Sequence, residues 1–434
     1  MMMMTRRESF LCAVVVGCAL ATTFASCSPD TENIFGDSPA TRQQQASSQY
    51  YKILEDSEYG WAVDFYPSGL EYGGIAYTAR FLDGRVTLAC EQAINNKVVG
   101  GRYDVGQEVT SDYRIINGQG VMLTFDTYNA LMHYWSQPSG TDFDGFASDY
   151  EFTFVSASAD EVLLRGVKHG NLMRMYPLKE SSGDYINKVV SMRATLSEST
   201  RKRVVVDGET MPVTAMENHM EYSADGKAFD MPYVYTDKGL RFYQPVELKG
   251  VSVLEMQYDE PTKSLRSADG QMTMPAPTSL ERFCGATTQW HFVYGKTDDS
   301  YEMCDELRTI VKQAVSDLGK KFESLKDMYI GLNKLSREED PKRIVIGWTS
   351  AYSSWAYEVC YGLDMTVLDE QAGTIAIRAT ESGNLYYNYT LFQPILDFVV
   401  AGSPYVLTFD NADSPTSVTL TSQQDASRWF RVKM

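Results

Sequence analysis

The sequence lacks the short motifs that mark the common catalytic sites. No HExxH, GxSxG or P-loop motif occurs in its 434 residues, and no GxGxxG follows a predicted strand. Histidine is scarce, and the isolated occurrences are His133, His169, His219 and His291. A zinc site needs several ligands close together, and a serine or cysteine nucleophile needs a positioned base. The sequence therefore indicates no catalytic residue, metal site or cofactor, and it favours a non-enzymatic protein.

Cysteine is also rare, with seven residues in the chain. Beyond the first 27 residues the cysteines are Cys90, Cys284, Cys304 and Cys360. No two of these are spaced as CxxC, which argues against a zinc knuckle or a thioredoxin-type site. We predict buried packing for all four, because cysteine behaves as a small hydrophobe. The alternative is a disulfide between Cys284 and Cys304 in an oxidising compartment.

Positive charge is in deficit. The chain carries 57 acidic residues against 39 basic ones, which gives a formal net charge of −18 at pH 7. A surface this acidic repels phosphate backbones and anionic lipid head groups. We therefore expect no nucleic acid among the partners, and we interpret the charge as a source of solubility outside the cell.

The apolar run at residues 10–20 is too short for a membrane-spanning helix, which takes roughly twenty residues. It follows the basic pair Arg6 and Arg7, and this order predicts a secretory signal peptide. We assign residues 1–26 to that signal peptide.

A lipobox ends at Cys27, which follows Ala25 and Ser26 directly. We predict lipid attachment at Cys27 and a polar tether over residues 27–37, with the membrane as a partner through the lipid anchor. Cys18 also matches a lipobox, but its use would leave an apolar segment as the exposed tether. The remaining alternative is ordinary cleavage near Ala25 with a free thiol.

Three segments have the spacing of apolar residues that is typical of helices. The first begins at Ser38 and Pro39, an N-cap followed by proline, and runs to about Asp56. The second runs from Asp184 to Ser199. The third, from residue 299 or 300 to about Leu335, has apolar residues at intervals of three and four.

Between these segments, apolar and polar residues alternate, and Asp-Gly pairs interrupt the alternation. Such pairs favour tight hairpins and hence antiparallel strands. The sequence predicts an α+β, β-dominated fold of two or three modules, each an N-terminal helix followed by an antiparallel meander. The predicted modules are residues 38–179, 180–300 and 301–434. The Asp-Gly pairs are Asp83-Gly84, Asp207-Gly208, Asp225-Gly226 and Asp269-Gly270.

A short match suggests that the modules are repeats. LTFD occurs at 123–126 and at 407–410, and Leu240 to Phe242 is a partial middle copy. The next matched strand begins 39 residues after Leu123 in the first module and 11 residues after Leu407 in the last. We interpret the difference as an insertion centred on 136–148, and long loops of this kind are often functional.

We place a candidate ligand site at this insertion. Its floor would be aromatic and its rim acidic, since aromatic faces stack on sugars or anchor a protein partner. One alternative is that the rings are core residues. Another is weak calcium binding by Asp142, Asp144 and Asp149, although solvated loop charges are the simpler interpretation. The predicted site residues are Tyr128, His133, Tyr134 and Trp135 for the floor and Asp142 and Asp144 for the rim.

One run of residues resembles a known family. Gly60-Trp61, Tyr66-Pro67, Tyr72-Gly73-Gly74, the FDTYN that begins at Phe125, His133-Tyr134 and Pro138 follow a lipobox and Ile34-Phe35. This pattern is similar to the uncharacterised Bacteroidetes lipoproteins grouped as domain of unknown function family 4302, most densely from Ile34 to Leu178. The resemblance implies a cell-envelope lipoprotein encoded near SusC/SusD-like outer-membrane uptake proteins. It implies no established activity.

The leading hypothesis is an outer-membrane lipoprotein, facing outward, that acts as a non-enzymatic ligand-binding or accessory component of a nutrient-uptake system. Its ligand would be a glycan or a peptide. The second hypothesis is a carboxylate-dependent hydrolase of glycan or peptide, because two suitably placed acidic residues can perform glycoside hydrolysis. The third is an adhesin or assembly protein.

Overall fold

The computed structural model describes residues 38–434, except for 69–70, 119, 139–144, 198–200, 217, 225–226, 286–289, 295–299, 322–324, 335–342, 351–355, 381–388 and 413. The predicted signal peptide, Cys27 and the tether lie outside the described residues. Strands dominate the described chain, and they form antiparallel sheets. The predicted α+β, β-dominated class is confirmed.

The described helices are short. They are α1 (Pro39–Glu55), α2 (Ser182–Leu196), α3 (Ser279–Gly285), α4 (Asp305–Lys321) and α5 (Gln393–Ala401), with 3-10 turns at His133–Ser136 and Tyr389–Leu391. Among the described residues, no helix combines the length and the apolar character that crossing a membrane requires.

The first sheet has nine strands in the order β6-β3-β2-β1-β11-β10-β9-β8-β7. Strands β1 and β11, the first and last of this sheet along the chain, pair with each other, and the two edges of the sheet are β6 and β7. β4 and β5 form a separate pair. The strands are β1 (Trp61–Tyr66), β2 (Ile75–Leu82), β3 (Arg85–Cys90), β4 (Ile94–Asn96), β5 (Gly101–Tyr103), β6 (Val109–Asp112), β7 (Arg114–Asn117), β8 (Val121–Thr124), β9 (Glu151–Ala157), β10 (Val162–Gly166) and β11 (Leu172–Pro177).

Helix α1 packs against the first sheet, where it contacts β2, β7 and β8. Its C-terminal half is attached near Tyr113, the single residue between β6 and β7. The Tyr113 hydroxyl, between the two edge strands, donates to the Glu55 carboxylate at 2.8 Å, and the Ile115 amide donates to the Tyr51 hydroxyl at 2.8 Å. These bonds attach the helix to the sheet beside the point where the chain passes from β6 to β7.

The second sheet closes on itself, because its first strand pairs with its last. We call it the middle barrel. Its inner residues share one core cluster with α2 and with Tyr66, Ala76 and Leu172 of the first sheet. Its strands are β12 (Arg201–Val206), β13 (Glu209–Met216), β14 (His219–Ala224), β15 (Lys227–Tyr235), β16 (Gly239–Leu248), β17 (Val251–Asp259), β18 (Ser264–Ser267) and β19 (Met272–Met274).

The third sheet also closes, and we call it the C-terminal barrel. Helices α4 and α5 contribute to its core cluster, for example through Leu307, Val311 and Ile395. Its first strand precedes residue 301, where the third module was predicted to begin. The strands are β20 (Trp290–Phe292), β21 (Leu325–Lys334), β22 (Arg343–Ser350), β23 (Ala356–Asp369), β24 (Thr374–Ala379), β25 (Tyr405–Phe409), β26 (Ser417–Ser422) and β27 (Trp429–Lys433).

The outcome differs among the three predicted helices. The first is confirmed, with Ser38 as the N-cap accepting from the Thr41 amide. The second is confirmed in position, although its C-cap is Ser197. The third is wrong beyond Lys321, since residues 325–334 form β21. There Met328, Ile330 and Leu332 are buried at every second position, which is the period of a strand. Helices α3 and α5 were not predicted.

The Asp-Gly turns are confirmed wherever the structure describes them. Asp83 and Gly84 both have positive φ angles between β2 and β3, and Asp207 and Gly208 do the same between β12 and β13. Gly270, with φ 72°, lies between β18 and β19. Asp225 and Gly226 lie outside the described residues.

The LTFD match pairs strands that are not equivalent. Its first copy ends β8, the fourth strand from the end of its sheet, whereas its second copy ends β25, the third from the end. The longer spacing in the first module therefore includes all of β9. When the strands of each sheet are counted backwards along the chain, the connection between β8 and β9 corresponds to the connection between β24 and β25, which contains α5. In the middle barrel it corresponds to the turn Lys249-Gly250 between β16 and β17.

Candidate functional site

The predicted site lies in the connection between β8 and β9, which runs from Phe125 to Tyr150. Buried Asn129 attaches this connection to the sheet. Its Oδ1 accepts from the amides of Leu131 at 3.0 Å and Met132 at 3.3 Å. Its Nδ2 donates to the Ser111 hydroxyl of β6 at 3.2 Å. The chain thus turns back on itself before the predicted site residues.

Three rings meet at the surface of this connection. The His133 ring stacks on Tyr150, with centroids 4.7 Å apart, and lies 5.0 Å from Tyr128. Tyr128 and Tyr150 are each 42% exposed. The Tyr128 hydroxyl accepts from Asn96 Nδ2 at 2.8 Å, which fixes the position of that ring. We call Tyr128, His133 and Tyr150 the ring face.

His133 is held in the neutral form. Its Nδ1 lies 3.1 Å from the amide nitrogen of Asn129 and 3.2 Å from the Asn129 carbonyl oxygen. Burial lowers the pKa of His133 and outweighs the opposing effect of its backbone hydrogen bond. At neutral pH the ring face therefore offers flat polar rings and no positive charge.

Trp135 belongs to the core of the first sheet instead of an open floor. It is 8% exposed, and its Nε1 donates to the Tyr77 hydroxyl at 2.7 Å. The rings of Tyr134 and Phe146 pack against it with centroids 5.0 Å and 5.2 Å away. The structure thus brings Tyr128 and His133 together at the surface, while Trp135 anchors the connection and half-buried Tyr134 packs on it.

The two rim carboxylates, Asp142 and Asp144, lie outside the described residues. Asp149, the third carboxylate of the calcium alternative, is buried. Its Oδ1 accepts from the amides of Lys168 at 2.7 Å and His169 at 3.0 Å, and its Oδ2 accepts from the Asn171 amide at 3.1 Å. These bonds occupy both oxygens, so Asp149 holds the turn between β10 and β11. Within the described part of the chain, no group of three or more His, Cys, Asp or Glu residues is placed to hold a metal ion.

A buried ion pair that the sequence does not signal joins the first sheet to the middle barrel. The carboxylate of Asp64, on β1, is fully buried and lies 2.6 Å from Arg241 Nη1, on β16. Arg241 also pairs with Glu255 at 2.9 Å and lies over the Tyr176 ring at 4.0 Å. Burial raises the pKa of Asp64, and the Arg241 guanidinium opposes that shift. The partners are 177 positions apart, so no local pattern signals them.

A second buried carboxylate lies nearby, at the end of β3. Burial raises the pKa of Glu91 to about 7, despite the opposing effect of Arg193 on α2. Glu91 Oε1 accepts from the Ala76 amide at 3.0 Å, whereas Oε2 lies 3.7 Å from Arg193 Nη1. Neither Asp64 nor Glu91 belongs to the predicted ring site.

The four predicted buried cysteines are all buried thiols. Burial raises the pKa of Cys90 to about 12, which keeps that thiol protonated and unreactive. Cys284 and Cys304 lie in the core of the C-terminal barrel and form no disulfide. Packing is therefore confirmed, and the alternative of a bridge is wrong.

A protein-family model matches the chain. The model for Domain of unknown function (DUF4302) matches residues 31–260, which is more than half of the chain. The match covers α1, the first sheet, α2 and the middle barrel as far as β17. No curated protein and no solved structure matches the chain. The chain therefore belongs to the DUF4302 family.

Proposed function

We propose that the protein is an outer-membrane lipoprotein, anchored at Cys27 and facing outward, that acts as a non-enzymatic ligand-binding or accessory component of a nutrient-uptake system. The lipobox and the acidic residues Asp30 and Glu32 after it support the location. The ring face is the observation that supports binding. We include SusC/SusD-like uptake proteins among the proposed partners and Bacteroidetes as the proposed source.

The ring face suits a glycan or a peptide with planar groups. Tyr128 and Tyr150 flank a neutral His133, so stacking surface and hydrogen-bonding groups lie together. A single ring contact contributes about 1 kcal/mol, so binding requires more than one ring together with polar contacts.

A glycan array followed by calorimetry with purified protein tests the proposed site. Tyr128→Ala and Tyr150→Ala should each weaken binding about fivefold, which corresponds to about 1 kcal/mol. Tyr59→Ala is a matched control, because Tyr59 is 41% exposed and lies outside the ring face. Equal affinity in all three variants would show that the ring face is not the site. Turnover of chromogenic glycosides or casein that one Asp or Glu substitution abolishes would favour the hydrolase hypothesis instead.

Metabolic labelling with palmitate tests the anchor. We expect Cys27→Ser to lose the label and leave the membrane fraction. We expect Cys18→Ser to keep the label and stay in the membrane fraction. Label that persists in Cys27→Ser would place the anchor elsewhere. Protease treatment of whole cells then tests whether the protein faces outward.

A further inference from the structure

The wall of the middle barrel is open between two neighbouring strands. β15 pairs with β16 only over Tyr233–Tyr235. Beyond that point β15 continues along β14 as far as Lys227. β16 continues along β17 to Leu248. Among the described residues, no strand pairs with the edge of β15 over 228–232 or with the facing edge of β16 over 243–248. We call the opening between these two edges the slot.

Two features keep these edges apart. The register of β16 against β17 shifts between Arg241 and Val246, so the strand bends at this point. Each edge also carries a proline, Pro232 on β15 and Pro245 on β16, and neither has an amide hydrogen for a ladder bond. The two strands therefore do not pair along the slot, although the barrel is closed elsewhere.

The slot contains a cavity of about 310 Å³ whose apolar side chains continue into the barrel core. Tyr222 and Phe229 pair across β14 and β15, two positions beyond the buried pair Met220 and Met231. They thus belong to the inward side of the wall, yet Phe229 is 48% exposed. The apolar lining consists of Tyr222, Phe229, Met231, Tyr243, Val246 and Leu248.

The charges around the cavity have one sign. Asp230 and Glu247 line it, and the described lining residues include no lysine, arginine or histidine. His219 Nδ1 lies 2.8 Å from the Asp230 carboxylate, so Glu247 is the carboxylate better placed for an added cation. The cavity therefore favours a partner with apolar groups and positive charge.

We propose that the slot binds an extended peptide segment in which apolar and basic residues alternate, and that this segment adds as a strand beside β15. An unpaired strand edge offers a row of backbone donors and acceptors that only another extended chain can satisfy together. Alternate side chains of an added strand point to opposite faces, so one set would contact Phe229 and Met231 and the other set Glu247 or solvent. This inference is independent of the ring face.

Fluorescence anisotropy with an alternating Lys-Val octapeptide tests the proposal on the full chain. The control is the same peptide with N-methyl groups on alternate amides, which keeps the side chains but cannot form a strand ladder. We expect the unmodified peptide to bind and the N-methylated one to bind at least tenfold more weakly. Equal binding of both peptides, or no binding of either, would overturn the proposal.

Variants locate the binding. Phe229→Ala and Glu247→Lys should each weaken binding of the octapeptide at least tenfold, with melting temperatures close to that of the wild type. Tyr59→Ala should bind it normally, because Tyr59 is an exposed ring outside both the slot and the ring face. Unchanged affinity in Phe229→Ala would place the peptide elsewhere and overturn the proposal. Competition by a soluble β-glucan whose own affinity falls in Phe229→Ala would also overturn the proposal, because the slot would then be a sugar site.

Discussion

The middle barrel has two neighbours and joins them in different ways. Towards the first sheet it shares a single hydrophobic cluster, and the buried pair Asp64–Arg241 crosses the junction. Towards the C-terminal barrel the apolar residues of α3, such as Phe283, belong to the C-terminal cluster alone. Among the described residues, the polar contacts there include Arg203–Glu281 at 2.8 Å and Thr278–Glu370 at 2.6 Å, beside a cleft of about 950 Å³.

This difference indicates which parts of the chain depend on each other for stability. Apolar surface buried in a common core couples the first sheet to the middle barrel, whereas partly exposed polar contacts couple bodies weakly. The DUF4302 match over residues 31–260 covers the strongly joined pair and stops before the C-terminal barrel. We therefore expect the pair to unfold together and the C-terminal barrel to unfold separately.

The largest expected effect is at the strong junction. Arg241→Met leaves the fully buried Asp64 carboxylate without its cation, and breaking a buried pair in this way costs about 3–5 kcal/mol. Urea denaturation at pH 7 measures the loss of unfolding free energy in the transition in which the first sheet and the middle barrel unfold together. The double variant Asp64→Leu/Arg241→Met removes both charges and should recover much of that stability. A loss below about 1 kcal/mol for the single variant would mean that Asp64 can reach water, contrary to its burial.

The second prediction concerns pH. The pKa of Glu91 is raised from 4.5 to about 7 in the folded protein, so the folded state binds the proton more tightly than the unfolded state. Its contribution is fully present below pH 4.5 and is lost as the pH rises through 7, a change on the order of 3 kcal/mol. Glu91→Gln should remove this decrease in stability between pH 5 and pH 8. An identical pH profile in the variant would contradict the assignment.

A smaller effect is expected from overpacking the same junction. A Cβ at Gly74 would lie 2.7 Å from the Val234 Cβ and from a Tyr66 ring carbon. Gly74→Ala should therefore separate the first sheet from the middle barrel and cost about 1–3 kcal/mol in the free energy of unfolding. Gly183→Ala is the control, since no atom lies within 4 Å of its added Cβ. Thermal unfolding of both variants gives the comparison.

The smallest effect is expected at the weak junction. Arg203 is partly exposed, and its buried partner Glu281 also accepts from the Thr278 amide at 2.8 Å, so that carboxylate keeps a hydrogen bond when Arg203 is removed. Arg203→Met should cost about 1 kcal/mol or less. The joint unfolding transition of the first sheet and the middle barrel should be unchanged in this variant. A cost as large as that of Arg241→Met would remove the distinction between the two junctions.

Local features of the fold are predictable from the sequence. The Asp83-Gly84 and Asp207-Gly208 turns need only the conformational preferences of two residues, and the N-cap Ser38 with Pro39 fixes the start of α1. Closure of the barrels is different, because it joins strands at opposite ends of a module. Residues 325–334 show a further limit: Leu325, Tyr329 and Leu332 fit a helical stripe, while Met328, Ile330 and Leu332 fit a strand equally well.

The candidate site is predictable in position but not in composition. Proximity in sequence brings Tyr128 and His133 together, but Tyr150 joins them from the far end of the connection. Trp135 is buried and donates to Tyr77, which lies on β2, far from it in sequence. Amphipathic rings serve core and surface alike, so their type alone does not decide between the two. The slot depends on the relative courses of β15 and β16, which only the folded barrel determines.

The placement of α1 sets the geometry of the proposed anchor. This helix packs against β2, β7 and β8 of the first sheet, and its N-cap is Ser38. The chain from Cys27 to Ser38 reaches at most roughly 40 Å when fully extended. If Cys27 carries the lipid, the helix that packs against the first sheet is also the attachment point of the whole molecule. The N-terminus of that helix would then stay within roughly 40 Å of the bilayer surface, so the first sheet would be the part of the molecule that is tethered most directly.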